Sequence, residues 1–106
     1  MTLQEKFNFQ QDIIAVKPID KGESPKGGIF LPSNFEGDFR MGKVEAVGPG
    51  VYSNGIFVAQ TVQCGDVVLY DWGKGKRIII EGEEYVLLSG FRDVLAVQTR
   101  NRNKER

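Results

Sequence analysis

The sequence predicts an all-β fold, a small and partly open β-barrel, on three observations. Short runs rich in Val and Ile recur along the chain, each bounded by turn residues. Thirteen glycines among 106 residues are spread without a collagen period, as repeated tight turns and barrel corners require. No stretch offers an amphipathic helix of useful length. A chain this long and 41% hydrophobic suits one domain with one modest core.

Six candidate strands follow one another. The run 12–17 is a β-branched apolar block closed by Pro18, and 42–47 alternates Val44 and Ala46 with polar residues before stopping at Gly48-Pro49-Gly50. A Gly65-Asp66 turn opens 65–70, while 76–80 ends on three isoleucines and meets the turn Glu81-Gly82-Glu83. The chain returns along 85–88 and closes with 94–98. Asn54-Gly55, set between Tyr52-Ser53 and Ile56-Phe57, is the strongest short hairpin signal, because a type I′ turn needs positive φ at both central positions. A protruding hairpin is expected there. Cys64 sits in a strand-like pattern, where a buried thiol is the ordinary expectation.

Between the first two strands lies a polar, glycine-rich run, 20–38, that carries Ile29, Phe30 and Leu31 in succession. Connections longer than about 12 to 15 residues are uncommon in compact domains unless they are functional or disordered. The run therefore reads as a flexible arm holding an apolar tripeptide. A strand tucked against the barrel would suit the same tripeptide, since Pro32 keeps Leu31 extended in either case.

Charge and composition remove many functions. Fourteen basic and fourteen acidic residues cancel, so no overall field favours nucleic acid or a membrane surface. Arg100, Arg102, Lys104 and Arg106 gather in a C-terminal run that reads as a solvated tail. One cysteine excludes an internal disulfide framework and suggests a reducing compartment. The absence of His removes the commonest general base, the Ser-His and Cys-His nucleophile pairs and histidine-containing zinc sites. No secretory leader, transit peptide or transmembrane run is expected.

Motifs for cofactors fail on context. Gly73-Lys74-Gly75-Lys76 lacks the glycine spacing, the terminal Ser or Thr and the helix of a phosphate loop, and neither Gly27-Gly28 nor Gly48-Pro49-Gly50 opens a helix in a βαβ unit. No cofactor is implied. Glu81, Glu83 and Glu84 read as a solvated acidic turn rather than a metal site. A single-stranded nucleic-acid binder is the alternative, resting on Tyr70, Trp72, Lys74, Lys76 and Arg77 along one short segment.

The order of elements resembles a GroES-type co-chaperonin, including its divergent and virus-encoded members. Asp12-Ile-Ile-Ala-Val-Lys-Pro18, the glycine-rich arm, Gly42-Lys-Val-Glu-Ala-Val-Gly-Pro-Gly50, Val62-Gln-Cys-Gly-Asp-Val-Val-Leu-Tyr70, Glu84-Tyr-Val-Leu-Leu88 and Arg92-Asp-Val-Leu-Ala-Val97 carry the likeness across 11–98. The resemblance implies one GroES-like domain over 1–106, with a mobile loop at 20–38, a roof hairpin at 48–62 and a tail at 99–106. It also implies a non-enzymatic lid, a homo-oligomeric ring and most often a heptamer. That ring would bind the apical domains of a GroEL-type chaperonin in the presence of nucleotide and close a chamber around unfolded client proteins in a bacterial or host cytoplasm.

Carried over residue by residue, Gly27 and Gly28 become the flexible entry of the loop and Ile29, Phe30 and Leu31 the chaperonin contact. Tyr52, Ser53, Asn54, Gly55 and Ile56 become the roof hairpin, and Trp72 and Lys74 face the chamber. Segments 9–16 and 94–98 would pair between neighbouring subunits. The chain departs from the pattern at Phe30, where a smaller aliphatic residue is usual, at the bulky Phe35 and Phe39, and at Lys74, where some relatives place an aromatic. The tail 101–106 runs past the usual end.

Overall fold

β1 (Ile13–Ile19) and β2 (Phe39–Val47) form the antiparallel centre of the protein, here a computed structural model that describes residues 2–19, 39–71 and 73–98. β3 (Gly50–Ser53) and β4 (Ile56–Ala59) make a separate two-stranded hairpin. β5 (Val67–Asp71), β6 (Lys76–Ile80), β7 (Glu83–Ser89) and β8 (Val94–Val97) complete a six-stranded sheet in the order β6-β7-β1-β2-β5-β8. β6 and β8 lie at its two ends, so the sheet is open between them.

The six expected strands are all present, 76–80 with the expected bounds and the other five with one or both ends shifted. β1 continues through Pro18 because its ladder to β7 ends at Val16↔Val86, leaving Pro18 only β2 as a partner. A residue without an N–H is tolerated at such an edge position. β2 starts three residues earlier than alternation suggests, at Phe39, where it pairs with Asp71. β5 starts only at Val67, because Gly65 and Asp66 are used in the preceding turn.

One face of the sheet gathers the main core: Ile14 and Val16 from β1, Val44 from β2, Val68 and Tyr70 from β5, Val86 and Leu88 from β7, and Val62. A β-bulge rephases β2 within it. Ala15 pairs with Ala46 but Val16 with Val44, so Glu45 is the extra residue. Val44 therefore joins the main core, while Ala46 turns to the opposite face with Ala15.

That second face is covered by an element the sequence reading did not expect, a short helix α1 (Leu3–Lys6). Thr2 and Glu5 close a capping box, which satisfies donors that so short a helix cannot satisfy internally. Leu3 is buried against Ala15 and Ala46. The Gln4 side chain pairs in both directions with Val47, accepting from its N–H at 2.8 Å and donating to its carbonyl at 3.2 Å. The expectation of no amphipathic helix of useful length holds among the described residues; this single turn forms because tertiary docking and a cap stabilise what propensity alone would not. Among the described residues, no helix is long and apolar enough to cross a membrane.

Candidate functional site

Both segments singled out from the sequence spring from β2, at opposite ends. The strand spans roughly 25 to 30 Å at about 3.3 Å per residue. At its start, Phe39 pairs with Asp71 and Met41 with Ile19, so the segment 20–38 leaves and re-enters the fold on adjacent antiparallel strands. Gly27, Gly28, Ile29, Phe30, Leu31 and Phe35 lie outside the described residues, as do Trp72 and the tail 99–106. Beside Phe39, Asp71 organises the turn into β6: its carboxylate accepts from the Gly73 N–H at 3.1 Å and its carbonyl from the Lys74 N–H at 3.1 Å. Lys74 is exposed on that turn.

At the far end of β2 rises the hairpin. Asn54 (φ 52°) and Gly55 (φ 81°) both sit in the left-handed region, giving the type I′ turn that Asn-Gly signals. Ser53 pairs with Ile56 and Tyr52 with Phe57, whose rings pack at 5.1 Å between centroids. The hairpin is apolar yet open to solvent: Tyr52 is 77% exposed and Ile56 68%, with Phe57 and Val58 also exposed.

The root of the hairpin is tied down by backbone. The Gly48 N–H donates to the Ile13 carbonyl at 2.8 Å, and the Gly50 N–H to that of Gln11 at 2.9 Å. Asp12 binds a second connection to the same place. Its carboxylate accepts from the Ser89 hydroxyl and the Phe91 N–H, while Asp93 accepts from the Ser89 N–H at 2.8 Å. The sequence reading did not identify this knot, although Ser89 followed by Asp93 across a glycine is a turn signature.

Two expectations are corrected. Cys64 is not a buried strand residue; it is exposed, in a turn held by the Gln63 N–H on the Asp66 carboxylate at 3.0 Å. Partial shielding from water raises its thiol above the usual value, and the charges of Glu45 and Asp66 raise it further, so it is protonated at neutral pH. Of the aromatic and basic residues offered for nucleic acid, Tyr70 is not available for stacking, since it is fully buried in the core, and Trp72 lies outside the described residues. The acidic turn is occupied by ion pairs, Glu81 with Lys6 and Glu83 with Lys17. Lys6 holds the Glu81 carboxyl below its ordinary range, and Glu83 raises Lys17.

A sheet of this order, with a segment rooted at one end of its central strand and a hairpin at the other, has close relatives by sequence. The family described as chaperonin 10 Kd subunit matches residues 6–98. This chain belongs to that family. It is 41% identical over 85 residues to a co-chaperonin GroES of Symbiobacterium thermophilum, covering 79% of this chain and 88% of the relative. A co-chaperonin GroES of Lactobacillus helveticus is 44% identical over 87 residues, covering 81% and 92%. One of Micrococcus luteus is 42% identical over 91 residues, covering 85% and 92%. Membership in the chaperonin 10 family makes the chain a co-chaperonin and not an enzyme. Most of α1 lies ahead of the matched span.

Proposed function

We propose that this co-chaperonin assembles into a ring, most simply a heptamer, that caps a GroEL-type chaperonin in the cytoplasm and closes a chamber around unfolded clients. The observation that carries the reading is the placement of two segments on one strand. Segment 20–38 is rooted on adjacent strands at the Phe39 end of β2, and the hairpin stands at the Val47 end. A lid needs that division, with docking groups at its rim and a roof at the opposite side. On this reading Gly27 and Gly28 are the hinge and Ile29, Phe30 and Leu31 the docking peptide. Tyr52 to Ile56 form the roof, and Trp72 and Lys74 face the chamber. The single domain 1–106 carries them all.

Assembly has a physical handle in β8. It ends the sheet as an edge strand, and Leu95 (52%) and Val97 (42%) stand exposed on it. An open apolar edge is a template for another chain, and segment 9–16 of a neighbouring subunit is the partner proposed for it.

The energetics suit a lid that must leave. Burying three large apolar side chains stabilises by on the order of 5 to 9 kcal/mol gross, at roughly 1.5 to 3 each. Fixing a backbone residue costs about 1 to 2 kcal/mol, so ordering a handful offsets most of that gain. Single arms bind weakly. Several on one ring act through effective concentration and give firm but reversible capping.

The test mixes the protein with a bacterial chaperonin and ATP and follows co-migration, with native mass measured in parallel. A complex is expected with the unaltered chain and none with Phe30→Asp, whose ring mass should be unchanged. No complex with the unaltered chain, or an undiminished one with Phe30→Asp, would sink the reading.

A further inference from the structure

The hairpin shares no ladder with the six-stranded sheet, so something else must set its angle. Its entering arm is tethered by the Gly48 and Gly50 N–H groups to the carbonyls of Ile13, the first residue of β1, and Gln11 just before it. Among the described residues, the leaving arm has a backbone bond only to the entering one, from the Gln60 N–H to the Pro49 carbonyl at 2.9 Å. That bond holds the arms together without fixing them to the domain.

Beyond it, Val62 is buried in the main core, and between that anchor and the hairpin the connection to the domain is the Gln60 side chain. Its amide nitrogen donates to the Asp12 carbonyl at 3.2 Å and to the Gly48 carbonyl at 3.3 Å, and its amide oxygen accepts from the Val62 N–H at 3.5 Å. The same amide lies against Gly90, where a Cβ would stand 2.3 Å from its oxygen. Gly90 in turn donates its N–H to the Asp12 carbonyl at 2.7 Å. One planar head therefore touches the hairpin exit, the hairpin entry, the start of β1 and the β7–β8 connection. Only an amide offers two donors and an acceptor in one plane for this task.

We propose that Gln60 is the positioning residue that fixes the hairpin's angle to the sheet and couples it to the connection leading into edge strand β8. Its importance for the lid rests on the roof reading above; the pin itself does not. Gln60→Glu keeps the size but replaces the donor with an acceptor facing two carbonyls. Gln60→Leu removes both functions. Having two variants matters, since either one could fail to fold.

In a Cys64→Ser background, spin labels on Ser53→Cys and Lys43→Cys report the angle of the hairpin to β2. Both Gln60 variants should broaden that distance distribution at least twofold. Amide exchange in 51–58 should quicken at least tenfold, while that of Ile14, Val68 and Val86 changes less than twofold. An unchanged distance distribution would overturn the proposal, as would hairpin and core amides quickening by the same factor, which is the mark of a purely stabilising contact. A loosened hairpin combined with unaltered client folding under the chaperonin would leave the pin standing and remove the roof role instead.

Discussion

The two ends of β2 are mounted by different means. At the Val47 end, backbone N–H groups of Gly48 and Gly50 reach the carbonyls of Ile13 and Gln11, and the fit excludes side chains: a Cβ on Gly50 would stand 2.2 Å from the Val58 carbonyl oxygen. At the Phe39 end, the described residues are held by cross-strand pairing, Phe39 with Asp71 and Ile19 with Met41. The first mount depends on which residues occupy it. The second depends mainly on strand pairing, which many sequences supply. A segment rooted on generic pairing can change its sequence to suit a partner without endangering the fold, whereas the hairpin root cannot drift in this way.

Gly50→Ala tests that contrast most severely. Gly50 sits at φ 133° with no room for a Cβ. Backbone strain alone should destabilise by about 1 to 3 kcal/mol, and the clash adds to it. Each kcal/mol lowers Tm by about 4 to 8 °C in a domain near this size, so calorimetry will register the loss easily. A Tm within 2 °C of wild type would show that the root yields and that the contrast is false.

Asn54→Ala comes next. Alanine in the left-handed region should cost about 1 kcal/mol, whereas Asn54→Gly should be close to neutral. Equal losses from both would mean that the Asn side chain, not the turn backbone, holds the tip. At the other end of the strand, Phe39→Ala should cost about 1 kcal/mol, less than Gly50→Ala, since the ring at 36% exposure is only partly buried and its loss strains no backbone. A loss as large as that of Gly50→Ala would make the two mounts equivalent.

How much of this was legible divides along physical lines. The Asn54-Gly55 turn could be read because φ > 0 at two positions is a local demand that few residues meet. The strands could be read from Val and Ile clustering, yet their phase could not. Alternation puts Val44 and Ala46 on one face, and the bulge at Glu45 puts them on opposite faces. A bulge is a pairing event between distant strands and leaves no local mark. The knot of Asp12, Gln60 and Ser89 escaped for the same reason, since its members lie 48 and 77 positions apart. Cys64 was misplaced because a strand-like composition continues through a turn that Gly65 and Asp66 in fact define. By contrast, Thr2 and Glu5 carried a readable capping box, and α1 was there to be found.

The smallest effect concerns the Phe39 end of the core, where Tyr70 pairs across the sheet with Arg40. Tyr70 is fully buried, and its hydroxyl has no hydrogen-bond partner among the described residues. A buried hydroxyl without a partner contributes nothing for its desolvation, so Tyr70→Phe should be neutral or slightly stabilising at pH 7. Burial pushes its ionisation up from 10.0 to about 12, with Arg40 opposing the shift and Glu84 adding to it. The folded state thus holds the proton more tightly than the unfolded chain does. Its contribution is complete below about pH 10 and is lost as pH rises from about 10 to 12. Tyr70→Phe should lack that loss, so the Tm difference between the two proteins should widen in favour of the variant across this window. Lys17, also raised, titrates in both proteins and cancels from the difference. A Tm that falls by more than about 4 °C at pH 7 would mean that the hydroxyl has a partner after all. That end of the strand would then be held by a specific polar contact, as the hairpin end is.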